Sequence, residues 1–294
     1  MTSGWGVPSR GCRVEWSCYP EAMEHANALD PAGADTIAGV QPTRRAGGLL
    51  LIRLGLVAAA TLAAWLVVRA ADETASFPPT PLLASLSLLP VNIISLLLVS
   101  RLLRIEGQSL RSLFAPGRSV VRDAAWGLLW IAVLYVPFVL AVMGTMWLLH
   151  GSGMFEAFQT VFYDPDAASI ASPVWALVLG VVVVLTFAPL NAPAEEAVYR
   201  GYAQSRLSAR WSPWPAMLVC SLAFGAQHAF FAPTTDAMIV YVAAFTVWGL
   251  GSALIIRAQG RLLPVTIAHL LVNLMTSSPA VAFPILVLAG VVEV

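Results

Sequence analysis

Long apolar stretches follow one another along this chain from residue 49 onward, separated by short polar or arginine-rich segments. Most are close to the ~20 residues that an α-helix needs to cross a bilayer. The predicted spans are 49–68, 82–100, 124–149, 167–194, 211–233, 237–256 and 262–292. The last is long enough for one tilted helix or for two short helices divided near Pro279. The pattern therefore predicts seven or eight transmembrane helices.

Composition agrees with an all-α, polytopic integral membrane protein. Of the 294 residues, 59% are hydrophobic and 11% are charged, whereas a soluble domain carries about 25% charged residues. Residues 1–46 are rich in Gly, Pro, Ala and acidic residues and show no apolar period, so we predict a disordered cytoplasmic tail there. The remainder divides into N-terminal transmembrane helices, 47–165, and a C-terminal transmembrane core, 166–294. The net charge of zero gives no sign of a nucleic-acid partner.

Arginine placement predicts how these helices are oriented. The arginines concentrate before the first span and in alternate loops, at positions 44, 45, 101, 104, 111, 118, 122, 206, 210, 257 and 261. The intervening loops are poor in arginine. Because cytoplasmic loops carry the excess of basic residues, we predict a cytoplasmic N-terminus.

The fourth span leads directly into two adjacent glutamates and an arginine. Glu196 and Arg200 are four residues apart, which places them on one face of a helix with the acid before the base. An ion pair between two helices would suit these two residues but leaves Glu195 unexplained. Two other polar residues interrupt earlier spans: we expect Arg53 to snorkel to the nearby interface and Asn92 to form an interhelical hydrogen bond.

Two of the four histidines lie inside later apolar stretches. His228 follows Phe224 by one helical turn, and His269 precedes Asn273 by one turn. Each alone is as well explained by an interhelical hydrogen bond, although ionisable groups at membrane depth are functional candidates. A hairpin that turns near Trp211 would bring His228 level with the glutamates. By its distance from the preceding loop, His269 should lie nearer the cytoplasmic surface unless its helix begins deeper.

A carboxylate and two imidazoles support two kinds of hydrolytic site. Glu195, His228 and His269 could ligate a zinc ion that keeps one position open for water. Without a metal, Glu195 and His228 could act as general bases toward a water molecule, while His269 and Asn273 stabilise the oxyanion. Either arrangement points to hydrolysis of a peptide bond at membrane depth.

The three polar segments together resemble the motifs of the CPBP family, the CAAX prenyl proteases and their bacteriocin-processing relatives. The family pattern EExxxR, FxxxH and HxxxN corresponds to EEAVYR at 195–200, FGAQH at 224–228 and HLLVN at 269–273. Gly201 also matches the commoner form of the first motif. The resemblance covers about residues 170–280 and identifies 166–294 as the catalytic core.

The resemblance implies an intramembrane endopeptidase in a bilayer, which we expect to be a bacterial plasma membrane. It carries over a catalytic set and a supporting set of residues: Glu195, His228, His269 and Asn273, and Glu196, Arg200 and Phe224. The family is usually called a metalloprotease, so a zinc cofactor on Glu195, His228 and His269 remains one alternative and no cofactor the other. The implied substrate is a peptide or lipidated protein cleaved near its C-terminus.

Two other classes of function remain open. A membrane scaffold or immunity protein could keep the fold without catalysis, and a small transporter could use the buried ionisable groups for proton coupling. Retention of all the motif residues argues against the scaffold, and the spans show no inverted repeat of the kind that transporters often have. Other intramembrane protease designs find no support, since HExxH, GxGD and GxSG are absent from the sequence.

Overall fold

Every regular element that the structure describes is a helix. The computed structural model describes residues 35–117, 119–163 and 172–292; most of the predicted tail, residues 1–34, lies outside this part. The helices are α1 (Asp35–Ala71), α2 (Pro81–Ile105), α3 (Leu110–Leu113), α4 (Val120–His150), α5 (Met154–Phe162), α6 (Pro173–Glu196), α7 (Ser205–Arg210), α8 (Pro213–Gln227), α9 (Thr235–Gln259), α10 (Leu263–Ser277) and α11 (Pro279–Leu288). A π-helix, Ala197–Gln204, joins α6 to α7, and 3₁₀ turns occupy Gly151–Gly153 and His228–Phe231. The predicted all-α class is confirmed.

Six helical segments among the described residues are long and apolar enough to cross a membrane. They are Gln41–Ala71, Pro81–Ile105, Val120–Phe162, Pro173–Arg210, Thr235–Gln259 and Leu263–Leu288. The other predicted span, 211–233, folds as the 15-residue helix α8 followed by the turn His228–Phe231. Since a full crossing takes about 20 residues, this stretch contributes a shorter helix, which stops where the His228 turn begins.

The last apolar stretch is divided near Pro279 into two consecutive helices, which together form the single spanning segment Leu263–Leu288. α10 ends at Ser277 and α11 begins at Pro279. Proline has no backbone N–H and a fixed φ, so it suits the first position of a helix better than an interior one. The predicted division near Pro279 is therefore present.

The first helix begins earlier than its apolar stretch. α1 starts at Asp35 and so includes residues 35–46, which the sequence pattern assigns to the tail. The segment with spanning character starts at Gln41. This upstream extension changes the place of Arg53, which lies twelve residues, or ~18 Å of helix rise, beyond Gln41 rather than near the helix start.

The outward faces of the helices are apolar. Leu51, Val67, Val121 and Leu148 are each more than 70% exposed. Side chains of this kind, spread over several spanning helices, are suited to contact with lipid tails rather than water. Together with the six apolar helices, they identify an integral membrane protein.

α6 lies at the centre of the packed helices. It contacts α2, α10 and α11, while α9 packs against α4 and α8. The α8–α9 contact is close because Gly225 has no side chain: a Cβ there would lie 2.6 Å from the Val242 carbonyl oxygen and would also collide with Thr246. Small residues allow such close packing of membrane helices. This contact brings the end of α8, with His228, against α9.

Candidate active site

The two glutamates lie where regular α-helix gives way to π-helix. Glu195 and Glu196 end α6, and both are at least 98% buried. The π-helix that begins at Ala197 carries Arg200. π-Helical segments are rare and occur frequently at functional sites. The change of helix type therefore coincides with the first sequence motif.

Glu196 pairs with two basic side chains. Its Oε1 accepts from Arg200 Nη1 at 3.3 Å and contacts His269 Nδ1 at 2.9 Å. The ion pair predicted from the four-residue spacing is confirmed. The Arg200 guanidinium also lies 4.2 Å from the centre of the Phe224 ring, a cation–π distance. Arg200 thus joins the first motif to the second.

Glu195 has its two carboxylate oxygens in different surroundings. Oε1 accepts from Gln227 Nε2 at 2.8 Å and from Arg53 Nη2 at 3.1 Å. Oε2 faces His269 Nε2 at 3.4 Å, and it is buried without a hydrogen-bond partner among residues 35–117, 119–163 and 172–292. One oxygen is held by donors, and the other is free to accept a proton.

His269 lies between the two glutamates, with Nδ1 toward Glu196 and Nε2 toward Glu195. These contacts place His269 level with both glutamates, which agrees with the alternative of a helix that starts deeper. Leu262 and Pro264, where α10 begins, are already buried. A helix that begins inside the protein brings its second turn level with the end of α6.

His228 begins the 3₁₀ turn after α8 and is half-buried. Its Nδ1 lies 2.8 Å from the Phe224 carbonyl oxygen, and because a carbonyl only accepts, Nδ1 is the protonated nitrogen. Nε2 is then available to a reacting group. The ring stacks on Phe245 at 3.5 Å and is close enough to Glu195 for electrostatic interaction. The predicted hairpin, with its turn near Trp211, is confirmed by the Gln227–Glu195 bond.

Phe224 separates the two histidines. Its ring centre lies 4.9 Å from that of His228 and 6.0 Å from that of His269, with edge contacts in both cases. Asn273 lies one turn beyond His269 on α10 and is 93% buried. Its amide nitrogen is a buried donor that has no acceptor within the described part of the chain.

The side chains, as they stand, do not form a zinc site. No three His, Cys, Asp or Glu side chains in the described ranges are grouped so that they could hold a metal ion. Glu195 and His269 approach each other as two ligands of one ion would, but His228 does not complete the set. The zinc prediction stays a prediction, and the chemistry below is derived from the side chains alone.

Arg53 is the largest correction to the sequence prediction. It does not snorkel to an interface: it is 99% buried and contacts Glu195 directly. Gln227 and Ser95 also belong to this polar cluster and were missed. The predicted interhelical hydrogen bond of Asn92 is present, with Arg53 as its donor. Arg53, Ser95 and Gln227 are each visible in the sequence as a polar residue within a separate apolar stretch. Which of them contact one another depends on how the helices pack.

Comparison with known proteins agrees with the motifs. Residues 173–275 match the family model described as Rce1-like, type II CAAX prenyl endopeptidase Rce1-like. The chain matches no curated protein and no solved structure. The matched segment contains all three motifs and ends two residues after Asn273, whereas Arg53, Asn92 and Ser95 lie outside it. Residues 173–275 are therefore similar to the type II CAAX prenyl endopeptidases, in agreement with the family resemblance of the three motifs.

Proposed function

We propose that this protein hydrolyses a peptide bond near the C-terminus of a membrane-associated or prenylated protein or peptide. The water that attacks is activated by Glu195 and His228. The observation that carries the proposal is the buried Glu195 carboxylate, in which donors occupy Oε1 while Oε2 accepts no hydrogen bond from the described residues. A carboxylate held in this way is oriented for general-base catalysis.

The reaction needs one proton acceptor and one place for the developing negative charge. Glu195 Oε2, assisted by His228 Nε2, takes a proton from water as the water oxygen bonds to the carbonyl carbon. The tetrahedral oxyanion accepts hydrogen bonds from the Asn273 amide and from His269, which lie on one face of α10. Since Nδ1–H of His269 donates to the Glu196 carboxylate, the step uses the imidazolium form of His269, with Nε2–H as the donor to the oxyanion. The C–N bond then breaks, and the proton moves from Glu195 to the leaving nitrogen, giving an amine and a carboxylic acid, which loses its remaining proton to solvent.

Glu196 and Arg200 support this arrangement without touching the reacting atoms. Glu196 contacts His269 Nδ1 and so fixes the orientation of the imidazole. Arg200 neutralises Glu196 and packs on Phe224. A histidine with one nitrogen held by a carboxylate presents its other nitrogen in a defined direction, here toward Glu195.

The test is cleavage of a farnesylated CAAX peptide and its unprenylated twin by protein purified in mild detergent. We expect cleavage of the farnesylated peptide, and loss of that cleavage in Glu195→Gln. The matched control is Glu156→Gln, since Glu156 is an exposed carboxylate on α5. Equal cleavage of both peptides would remove the prenyl group from recognition. A folded protein that cleaves neither favours the scaffold alternative.

A further inference from the structure

Arg53 has all three guanidinium nitrogens bonded at the centre of the helical packing. Nη2 donates to Glu195 at 3.1 Å, Nη1 to Asn92 and Ser95 at 2.9 Å each, and Nε to Gln227 at 3.4 Å. The partners come from α2, α6 and α8. Its side chain has no exposed surface. A single residue of α1 thus connects four helices at the carboxylate proposed as the base.

We infer that Arg53 is a positioning residue for the proposed hydrolysis, holding Glu195 so that Oε2 is the oxygen presented to water. The inference rests on the proposed function and extends it to the N-terminal helices. A carboxylate is symmetric, and a flip about its last torsion exchanges its oxygens. Two donors on Oε1 and a histidine facing Oε2 remove that symmetry.

Gln227 extends the same control to His228, the next residue. Its Oε1 accepts from Arg53 and from the Tyr199 hydroxyl at 2.9 Å, while its Nε2 donates to Glu195. With two donors on its oxygen, the amide has one orientation, and its nitrogen must face the carboxylate. Arg53 therefore acts on Glu195 both directly and through the residue that precedes His228.

An ion pair that served only to join helices would not need one particular oxygen of the Glu195 carboxylate to be held. Removing one partner of any buried pair destabilises a protein, so loss of stability alone does not distinguish the two roles. The rate of cleavage distinguishes the two roles, because a base displaced by about 1 Å can lose ~10²-fold in rate. A positioning role predicts a fall in kcat with little change in KM.

The experiment compares Arg53→Met, Arg53→Lys, Asn92→Ala and Ser95→Ala in detergent-purified full-length protein, with kcat, KM and thermal midpoint measured for each. We expect Arg53→Met to lower kcat by about 10²-fold while KM changes less than about threefold. Arg53→Lys should recover about tenfold, since an ammonium replaces the charge but not the planar fork. Asn92→Ala and Ser95→Ala keep the ion pair and should give smaller losses of kcat. They remain informative if Arg53→Met does not fold.

The matched control is Arg69→Gln, at the exposed end of α1, which should keep wild-type kcat. A folded Arg53→Met with wild-type kcat, or an Arg53→Lys no better than Arg53→Met, overturns the inference. So does a loss confined to KM. If only Asn92→Ala and Ser95→Ala fold, wild-type kcat in both overturns it.

Glu195→Gln is measured in parallel to separate the two proposals. If Glu195→Gln keeps its activity, the proposed function fails and the positioning role fails with it. If Glu195→Gln is inactive while Arg53→Met is fully active, the proposed function stands and only the Arg53 inference is wrong.

Discussion

Two glutamate clusters lie on either side of the π-helix, and they differ in how their oxygens are used. Glu195 and Glu196 are buried, whereas Glu106 is partly exposed. Glu106 binds through both: Oε1 accepts from the Tyr202 hydroxyl at 2.7 Å, and Oε2 accepts from Arg206 at 2.9 and 2.5 Å. Glu195 and Glu196 each bind through Oε1, while each Oε2 lacks a hydrogen-bond partner in the described ranges. The partly exposed Glu106 has both carboxylate oxygens bonded, whereas the two buried carboxylates of the first motif, in the proposed base Glu195 and in the supporting residue Glu196, each keep one oxygen without a partner among the described residues.

The comparison also holds for the basic partners. Arg206 uses Nε and Nη2 on Glu106, and Nη2 also reaches Gln108. Arg200 donates from Nη1 to Glu196, while its Nε and Nη2 are buried donors without an acceptor among the described residues. Buried donors left in this way cost free energy unless water or a ligand satisfies them. Among the described residues, buried polar atoms without a partner occur at the motif residues Glu195, Glu196, Arg200 and Asn273, and also outside the motifs, for example at Ser252.

The largest effect should come from neutralising Glu195. Glu195→Gln keeps the shape and removes the base, so we expect cleavage to fall by at least ~10³-fold. Because the change also leaves the buried Arg53 charge without its carboxylate, the thermal midpoint should fall as well. His228→Ala and His269→Ala should likewise abolish cleavage. Full activity in all three variants would refute the site assignment. Cleavage rate and thermal midpoint, measured on the same preparation, give the result.

The next largest effect should be a loss of stability when the Glu196–Arg200 ion pair is broken. Glu196→Ala or Arg200→Ala leaves a buried charge unpaired, at a cost of roughly 3–5 kcal/mol, and should lower the yield of folded protein. Both side chains are fully buried, so solvent screening is small. The double variant Glu196→Met/Arg200→Met should lose less than either single change. Normal yield from both alanine variants would contradict a stabilising ion pair.

Glu106→Gln should lower stability slightly while leaving activity in place, whereas Glu195→Gln should lower both. We expect a loss of about 1 kcal/mol, because its pair with Arg206 is partly exposed and screened by solvent. The kcat should stay within about twofold of wild type, since Glu106 does not contact the candidate site residues. A large fall in kcat without destabilisation would erase the distinction between the two clusters. Thermal unfolding and peptide cleavage are again the measurements.

A chelator should have the smallest effect. The proposed steps use side chains alone, so we expect 1,10-phenanthroline to leave the initial cleavage rate unchanged, with a zinc-dependent peptidase treated in parallel. Near-stoichiometric zinc by mass spectrometry, lost in Glu195→Ala, His228→Ala and His269→Ala, would instead support the metal alternative. That result would require His228 to move toward the other two residues when the ion binds.

Hydropathy and motif spacing predicted much of this molecule and failed where depth in the membrane matters. Apolar runs located the helices, and the four-residue spacing gave the Glu196–Arg200 pair. Arg53 was misplaced because α1 extends upstream of its apolar run. The depth of His269 stayed open between two alternatives because it depends on α10 beginning at a buried position. A sequence pattern gives distance along a helix, whereas depth also depends on where packing lets the helix begin.

The π-helix had no signal in the sequence. Its formation depends on which carbonyl each N–H selects over eight residues, and side-chain periodicity is too coarse to show this. Glu195 and its partners in three other helices illustrate the same limit. Each of these polar residues is visible in the sequence as an interruption of an apolar span. Which of them contact one another is decided only by the tertiary packing of the helices.

The π-helix also sets the angular relation between the two glutamate clusters. A π-turn contains about one residue more than an α-turn, and each residue of an α-helix turns the chain by about 100°. If the same eight residues, Ala197–Gln204, were wound as α-helix, Tyr202 and Arg206 would turn by about 100° away from Glu106, whereas deleting one residue would let the segment rewind as α-helix with these contacts kept. The π-helix therefore accommodates about one extra residue in this segment without moving the residues that contact Glu106.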